Sequence, residues 1–315
     1  VTSYAESTET SPTPSDNQLA DRVDAGRKRR RYRLWRSLAR RKLALFGATI
    51  ILIMGIVALI APLLTEHDPT QIDIVKRLQP PGWQDENGVT HLLGTDTLGR
   101  DVWARLVYGA RISLLVGLSA VLIAGSIGII LGLLAGYFGG ALDDVIMRIA
   151  DIQLAFPFIL LAISVIAVLG PGLLKVIAVL GVSGWVPYGR IVRGQVISLR
   201  GQEFVQSSRS VGSSNWRILA RHILPNTWAP VIVIASFSVA STILAESSLS
   251  FLGLGVPPEV PTWGGMLAEG REYLELAPWL ATFPGFAIAL TVLGINVVGD
   301  WLRDYLDPRL VGGEN

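Results

Sequence analysis

The residues that could perform covalent chemistry are few and dispersed. The three histidines, His67, His91 and His222, show no metal-ligand spacing, and there is no cysteine to supply a thiolate or a disulfide. No Gly-x-x-x-x-Gly-Lys-Ser/Thr loop is present to cradle nucleotide phosphates, and no nucleophile has a general base at useful spacing. What remains is docking chemistry, concentrated in Glu203-Phe-Val-Gln-Ser-Ser-Arg-Ser-Val-Gly212-Ser-Ser-Asn-Trp-Arg-Ile-Leu-Ala-Arg-His-Ile-Leu-Pro-Asn226. The spacing predicts helix, turn, helix. Phe204, Ser208 and Val211 fall on one face, Gly212 ends the first helix in a left-handed conformation, and Ser213 or Ser214 caps the second. Trp216, Leu219 and Ile223 form an apolar stripe that Pro225 is expected to end. Such a hairpin either docks a soluble partner or packs on its own chain.

The elements that must position this hairpin are membrane spans. Half of the 315 residues are hydrophobic, only 17% are charged, and apolar runs of membrane-crossing length alternate with short polar segments. Six spans are expected, over 43–64, 112–137, 145–169, 173–192, 228–247 and 280–301. Residues 1–26 have the composition of a disordered tail, and 27–42 form a basic, amphipathic juxtamembrane segment around Leu34, Trp35 and Leu38. That basic run is read as topogenic and lipid-facing; with a net charge of only +2, no nucleic-acid partner is implied. Arg190, Arg193, Arg200, Arg209, Arg217 and Arg221 flank the hairpin, whereas loops 65–110 and 256–278 are mixed or acidic. The positive-inside rule then places the hairpin and both termini, including the tail at 304–315, in the cytoplasm, and residues 65–110 outside. The division that follows is a first span, an outer loop and a five-helix core over 111–303 that contains the hairpin loop at 200–226.

Within the spans, Gly128, Gly132 and Gly136 recur every four residues below Gly117 and Gly125, a stripe that lets another backbone approach, within this chain or across a subunit interface. Pro157 and Pro187 invite kinks. Glu246 either marks a pathway or caps a turn at headgroup depth beside Ser247, Ser248 and Ser250. Asp144, Arg148 and Asp151 share a helical face and suggest an ion cluster. Asp96, Arg100 and Asp101, in the outer loop, are either recognition charges at its mouth or the bonds of a local turn.

The hairpin resembles the EAA signature of ABC importer permeases. Gln206, Ser207 and Ser208 occupy the Glu-Ala-Ala positions, Gly212 the glycine, and Leu224-Pro225 the closing pair; His222 stands at the usual isoleucine. Gly94-Thr-Asp-Thr-Leu-Gly-Arg-Asp-Val-Trp-Ala-Arg, Ala135-Gly-Tyr-Phe-Gly-Gly140, Ala155-Phe-Pro157, Leu249-Ser-Phe-Leu-Gly-Leu-Gly255 and Gly299-Asp-Trp-Leu-Arg-Asp-Tyr-Leu-Asp-Pro308 are similar to the C-type permeases of dipeptide and oligopeptide importers, in the family's order.

This resemblance implies an all-α integral membrane protein with six transmembrane helices and a cytoplasmic coupling hairpin, the type I ABC importer permease fold. It implies a B-type permease partner, two cytoplasmic ATPase subunits, an extracytoplasmic substrate-binding protein, and a prokaryotic inner membrane. ATP and magnesium are expected on the ATPase subunits, with no cofactor on this chain and no enzymatic activity of its own. Glu203, Gln206, Ser207, Ser208, Gly212, Leu224 and Pro225 would couple to the ATPase, while Glu246, Asp96, Arg100 and Asp101 are the candidates for the pathway or its mouth. Nickel, glutathione or another small solute could replace peptide within the same architecture. A secondary transporter would need mid-membrane coupling acids and an internal repeat, neither of which stands out.

Overall fold

The computed structural model describes residues 37–39, 41–86 and 88–306. The expected tail at 1–26, most of the basic segment at 27–42 and the end of the chain from 307 lie outside the described residues.

The described chain is helical apart from one small sheet. Helix α1 (Lys42–Leu59) and the short α2 (Ala61–Leu64) lead into a long loop, in which β1 (Trp83–Gln84) pairs antiparallel with β2 (Thr90–His91). Helix α3 (Val102–Phe138) follows, then α4 (Gly140–Ala155), α5 (Phe158–Leu169), α6 (Leu173–Ser183) and α7 (Trp185–Arg200). The hairpin comprises α8 (Glu203–Ser210) and α9 (Asn215–Ile218), and continues through a π-helical turn, Leu219–Ile223, into α10 (Leu224–Phe251). Helices α11 (Trp263–Gly270) and α12 (Trp279–Leu306) complete it.

Helix α3 is the axis of the molecule. Its 37 residues extend for about 55 Å, more than a bilayer's hydrocarbon thickness, and it begins ten residues before the expected span because Asp101 caps it. The Asp101 carboxylate accepts the Ala104 amide at 2.6 Å. The glycine stripe faces α7 of the same chain. A Cβ on Gly128 would lie 2.4 Å from Tyr188 Cβ, and one on Gly136 would lie 2.7 Å from Val196 Cβ, so only glycine admits this approach. Gly47 on α1 and Gly294 on α12 make a similar close crossing, with the Gly47 position 2.9 Å from the Gly294 carbonyl. Large apolar side chains such as Leu52, Leu59, Leu122, Leu160 and Val168 point outward, as lipid contact requires.

Four described helical runs are long and apolar enough to cross a membrane: Lys42–Leu59, Val102–Phe138, Asn215–Phe251 and Trp279–Leu306. The span expected over 145–169 is the bent pair α4 and α5, which meet at 89° and make a fifth crossing if they count as one. Pro157 causes more than a kink there. It forces Phe156 into an extended conformation (φ −97°, ψ 131°), and the helix stops and restarts. The span expected over 173–192 is also two helices, α6 and α7, which meet at Gly184. Pro187 sits in the first turn of α7, where a backbone donor is unpaired in any helix, so the break falls before it. Asp144, Arg148 and Asp151 do not pair with one another. Asp143 instead binds Arg193 through two bonds of 2.5 and 2.6 Å, and Asp151 binds Arg190 at 2.6 Å, so the charges tie α4 to α7.

Candidate functional site

The two ends of the bundle carry different chemistry. One end holds the hairpin, the start of α1 and the end of α12; an ion pair between Arg41 and Asp304 joins the last two. The opposite end holds the long loop between α2 and α3, together with α11.

At the hairpin end, Gly212 takes φ +79°, the conformation its sequence position called for. The Ser213 amide donates to Ser208 O at 3.2 Å and the Gly212 amide to Arg209 O at 3.0 Å, the two bonds of a Schellman cap. Ser214 is the N-cap residue of α9, but its side chain makes no capping bond. The largest departure from expectation concerns Pro225, which does not end the second helix. Residues Leu219–Ile223 widen into a π turn, with the Leu224 amide bonded to Leu219 O, and this gives the proline ring room while the helix continues.

The hairpin has two faces. Val205, Ile218, Leu219 and Ile223 are buried against Tyr137, Tyr188, Val192, Val196 and Val231. The Tyr137 hydroxyl donates to Asn215 Oδ1 at 2.9 Å and accepts from Arg209 at 3.3 Å, and Arg200 donates to the carbonyls of Gly136 and Tyr137 at the end of α3. The opposite face is bare. Trp216 is 67% exposed, Val211 79% and Phe204 44%, with Glu203, Gln206, Ser207 and Gly212 exposed beside them. Phe204 and Val211 therefore do not seat α8 on the bundle; Val205, which the spacing argument passed over, does. Ser208 and Leu224 are half-buried and Pro225 is exposed, so the signature positions run along the boundary and the free face. Beside the hairpin, an open cavity of about 650 Å³ lies between α7, α10 and α12, lined among others by Ile191, Gln195, Asn226, Phe237 and Arg303.

At the loop end, Asp96 and Arg100 are buried in a network whose other members sequence reasoning did not single out. Asp96 accepts from Arg100 Nε at 2.7 Å and from Arg105 at 2.6 Å, and Glu269 accepts from Arg100 at 2.7 Å and from Arg105 at 3.0 Å. Two guanidiniums thus face two carboxyl groups, balanced in charge when Glu269 is ionised, and join the long loop and the start of α3 to α11. Asp96 also accepts the Leu98 and Arg100 amides, each at 2.9 Å, which folds the turn locally. Burial pushes the Glu269 carboxyl up to about 7, against the pull of Arg100 and with Asp96 adding to the rise. Arg105 carried no sequence signal as a site, and Glu269 was only one of several loop acids; Glu269 lies more than 150 residues along the chain from both arginines it pairs with. Glu246 belongs to a separate place. It is fully buried on α10 and accepts from the Ser250 hydroxyl at 2.7 Å, one turn on.

Comparison with known proteins matches this architecture. The family model described as binding-protein-dependent transport system inner membrane component matches residues 128–312, and that described as the N-terminal TM domain of oligopeptide transport permease C matches residues 31–81. The chain is 44% identical over 300 residues to a dipeptide transport system permease protein of Alkalihalophilus pseudofirmus, covering 95% of this chain and 94% of that protein. It is 41% identical to a glutathione transport system permease protein of Pectobacterium atrosepticum, over 88% of this chain and 90% of the relative. Among solved structures, a chain of the inward-facing MetNI methionine ABC transporter superposes with a TM-score of 0.50 at 17% identity, covering 65% of this chain and 97% of that one; the likeness is one of fold.

Proposed function

Because the chain belongs to the family of binding-protein-dependent transport system inner membrane components, we propose that it is a permease subunit of an ATP-driven ABC importer for di- and oligopeptides. It forms half of the translocation pathway and is driven from the hairpin. The observation that carries this reading is the division of the hairpin into a buried anchor (Val205, Ile218, Leu219, Ile223) and an exposed apolar face (Phe204, Val211, Trp216). A membrane protein that leaves aromatic side chains bare on a rigid, water-facing hairpin presents them to a soluble partner.

In this reading the hairpin end faces the cytoplasm of a prokaryotic cell. Its basic flank, Arg190, Arg193, Arg200, Arg209, Arg217 and Arg221, supports that orientation, as does its sharing an end with the start of α1 and the end of α12. Each of two ATPase subunits grips one hairpin, this chain's or that of a B-type permease, and the ATPases carry ATP and magnesium. Glu203, Gln206, Ser207, Ser208, Gly212, Leu224 and Pro225 meet the ATPase or hold the hairpin in shape for it. ATP draws the ATPase subunits together, the hairpins follow, and the bundle shifts from inward-open to outward-open, where an extracytoplasmic binding protein delivers the solute. The cavity beside α7, α10 and α12 is open on one side, as half of a pathway completed by a second permease would be.

The test is co-purification of the chain with its ATPase partners in mild detergent, followed by peptide-stimulated ATP hydrolysis. Trp216→Ala, which removes a mostly exposed ring whose one aromatic contact among the described residues is the edge of Phe138, is expected to weaken association at least tenfold with little loss of thermal stability. Gly212→Val, which forces a β-branched residue to positive φ, is expected to abolish it. Unchanged ATPase binding in both variants would remove the coupling role. The glutathione permease relative favours one second reading of the solute, and competition between dipeptide and glutathione in the same assay separates the two.

A further inference from the structure

We propose that the loop between α2 and α3 holds a divalent transition-metal site formed by His67, His91 and Asp101. In sequence the two histidines look unrelated. In the fold their rings lie 5.0 Å apart, and one donor atom from each of His67, His91 and Asp101 lies within 4.8 Å of the other two.

His91 is only 5% exposed, and its Nδ1 stands 2.8 Å from Asp101 Oδ2, so two of the three donors already share one edge of the site. A metal bound there takes the place of the proton these two atoms share, because metal ligands bind in their deprotonated form. Trp83 stacks against the His91 ring at 5.5 Å and further limits its orientation.

The surroundings suit a cation. His67, His91 and Asp101 line one cavity of about 190 Å³ together with Asp68, Asp73 and Asp85, and with Lys76 as the one basic residue in its wall. Lys76 is already engaged by Asp85 at 3.0 Å and by Asp73 at 3.2 Å. Two imidazoles and a carboxylate are borderline ligands, which favours zinc, cobalt, nickel or copper over the oxygen-seeking calcium and magnesium. Zinc-ligand bonds of about 2.0–2.2 Å bring donor atoms closer than they stand here. The half-exposed His67 has the freedom to close that gap, while His91 and Asp101 are fixed.

The metal would join three segments that are otherwise linked by few bonds: the stretch after α2, strand β2 and the capped start of α3. This inference does not depend on the importer reading. It is tested with the full-length chain in detergent, freed of any affinity tag and of metal, by titration with cobalt(II) followed by d–d absorption and with zinc(II) by calorimetry. One equivalent is expected to bind and to raise the melting temperature. His67→Ala, which removes a ring with no hydrogen bond of its own to lose, should weaken binding at least tenfold and leave the metal-free melting temperature unchanged. His222→Ala, at the other end of the molecule, should bind as the parent does. Absence of stoichiometric uptake, or binding that His67→Ala leaves unchanged, overturns the proposal.

Discussion

Replacing Gly132 with alanine sets two local effects against each other, and the structure decides which prevails. Inside a helix, alanine is better than glycine by about 0.8–1.0 kcal/mol. A methyl at Gly132, however, would stand 2.6 Å from the Gly189 carbonyl oxygen, 2.8 Å from Val192 Cβ and 3.1 Å from the Arg193 nitrogen, all on α7. Two of these three are main-chain atoms, so no change of rotamer relieves the overlap. Helices α3 and α7 would have to part by roughly 0.8 Å to restore ordinary contact. The tight contacts of Gly128 and Gly136, one turn to either side, would loosen with them. Overpacking of this kind costs about 1–3 kcal/mol, which cancels the helical gain at least and leaves a net loss of up to about 2 kcal/mol. Gly125 provides the control on the same face. Its nearest neighbour on α7 is Tyr188 Cε1 at 3.6 Å, an ordinary contact, so Gly125→Ala should keep the helical gain and stabilise the protein. The two variants should differ by the overpacking cost alone, about 1–3 kcal/mol, or roughly 2–12 °C in the apparent unfolding midpoint in detergent at a fixed scan rate. Tryptophan fluorescence suits the assay, because Trp185 is buried at the head of α7. If Gly132→Ala melts with or above Gly125→Ala, the close-approach argument is wrong.

Two further predictions concern the loop end. Asp96→Ala leaves Arg100 and Arg105 sharing Glu269 alone, and an uncompensated buried charge of this kind should cost about 3–5 kcal/mol, read as a fall in melting temperature well beyond that of an exposed Asp144→Ala. Glu269, with a carboxyl raised to about 7 from the usual 4.5, holds a proton in the folded chain between these values that the unfolded chain has released. Its contribution is therefore fully present below about 4.5 and is lost as pH rises to about 7. The melting temperature of the parent minus that of Glu269→Gln should fall across this window and stay flat above it; parallel curves would contradict the assignment.

The legible parts of this fold are those that leave a period in the sequence. The spans announce themselves by their apolar length, the α3–α7 contact by glycines at every fourth position, and the hairpin by Gly212 and the apolar spacing around it. Of the three prolines expected to disturb a helix, only Pro157 does so outright. Pro157 breaks its helix, Pro187 does nothing visible in a first turn, and Pro225 is absorbed by a π turn. The outcome depends on whether the neighbouring carbonyl can move aside, which is a tertiary matter. Least legible were the clusters assembled by long-range folding. Arg105 meets Glu269 across 164 positions and His67 meets His91 across a loop, and no local pattern marks either pair.

The placement of these contacts along α3 has a mechanical consequence for the proposed cycle. At the hairpin end, Tyr137 binds Asn215 and Arg209, and Arg200 closes the last turn of the helix. At the loop end, Asp101 caps the same helix and Arg105 holds Asp96 and Glu269. Between them the glycine contacts prevent α3 and α7 from sliding past one another without overlap at the Gly189 carbonyl and Val196 Cβ. A pull on the hairpin therefore moves α3 and α7 as one body, and a change of shape is taken up most readily where the helices are already interrupted, as at Gly184 and at the 89° corner before Pro157. These breaks are thus places where such a bundle can bend while its glycine-packed core stays intact.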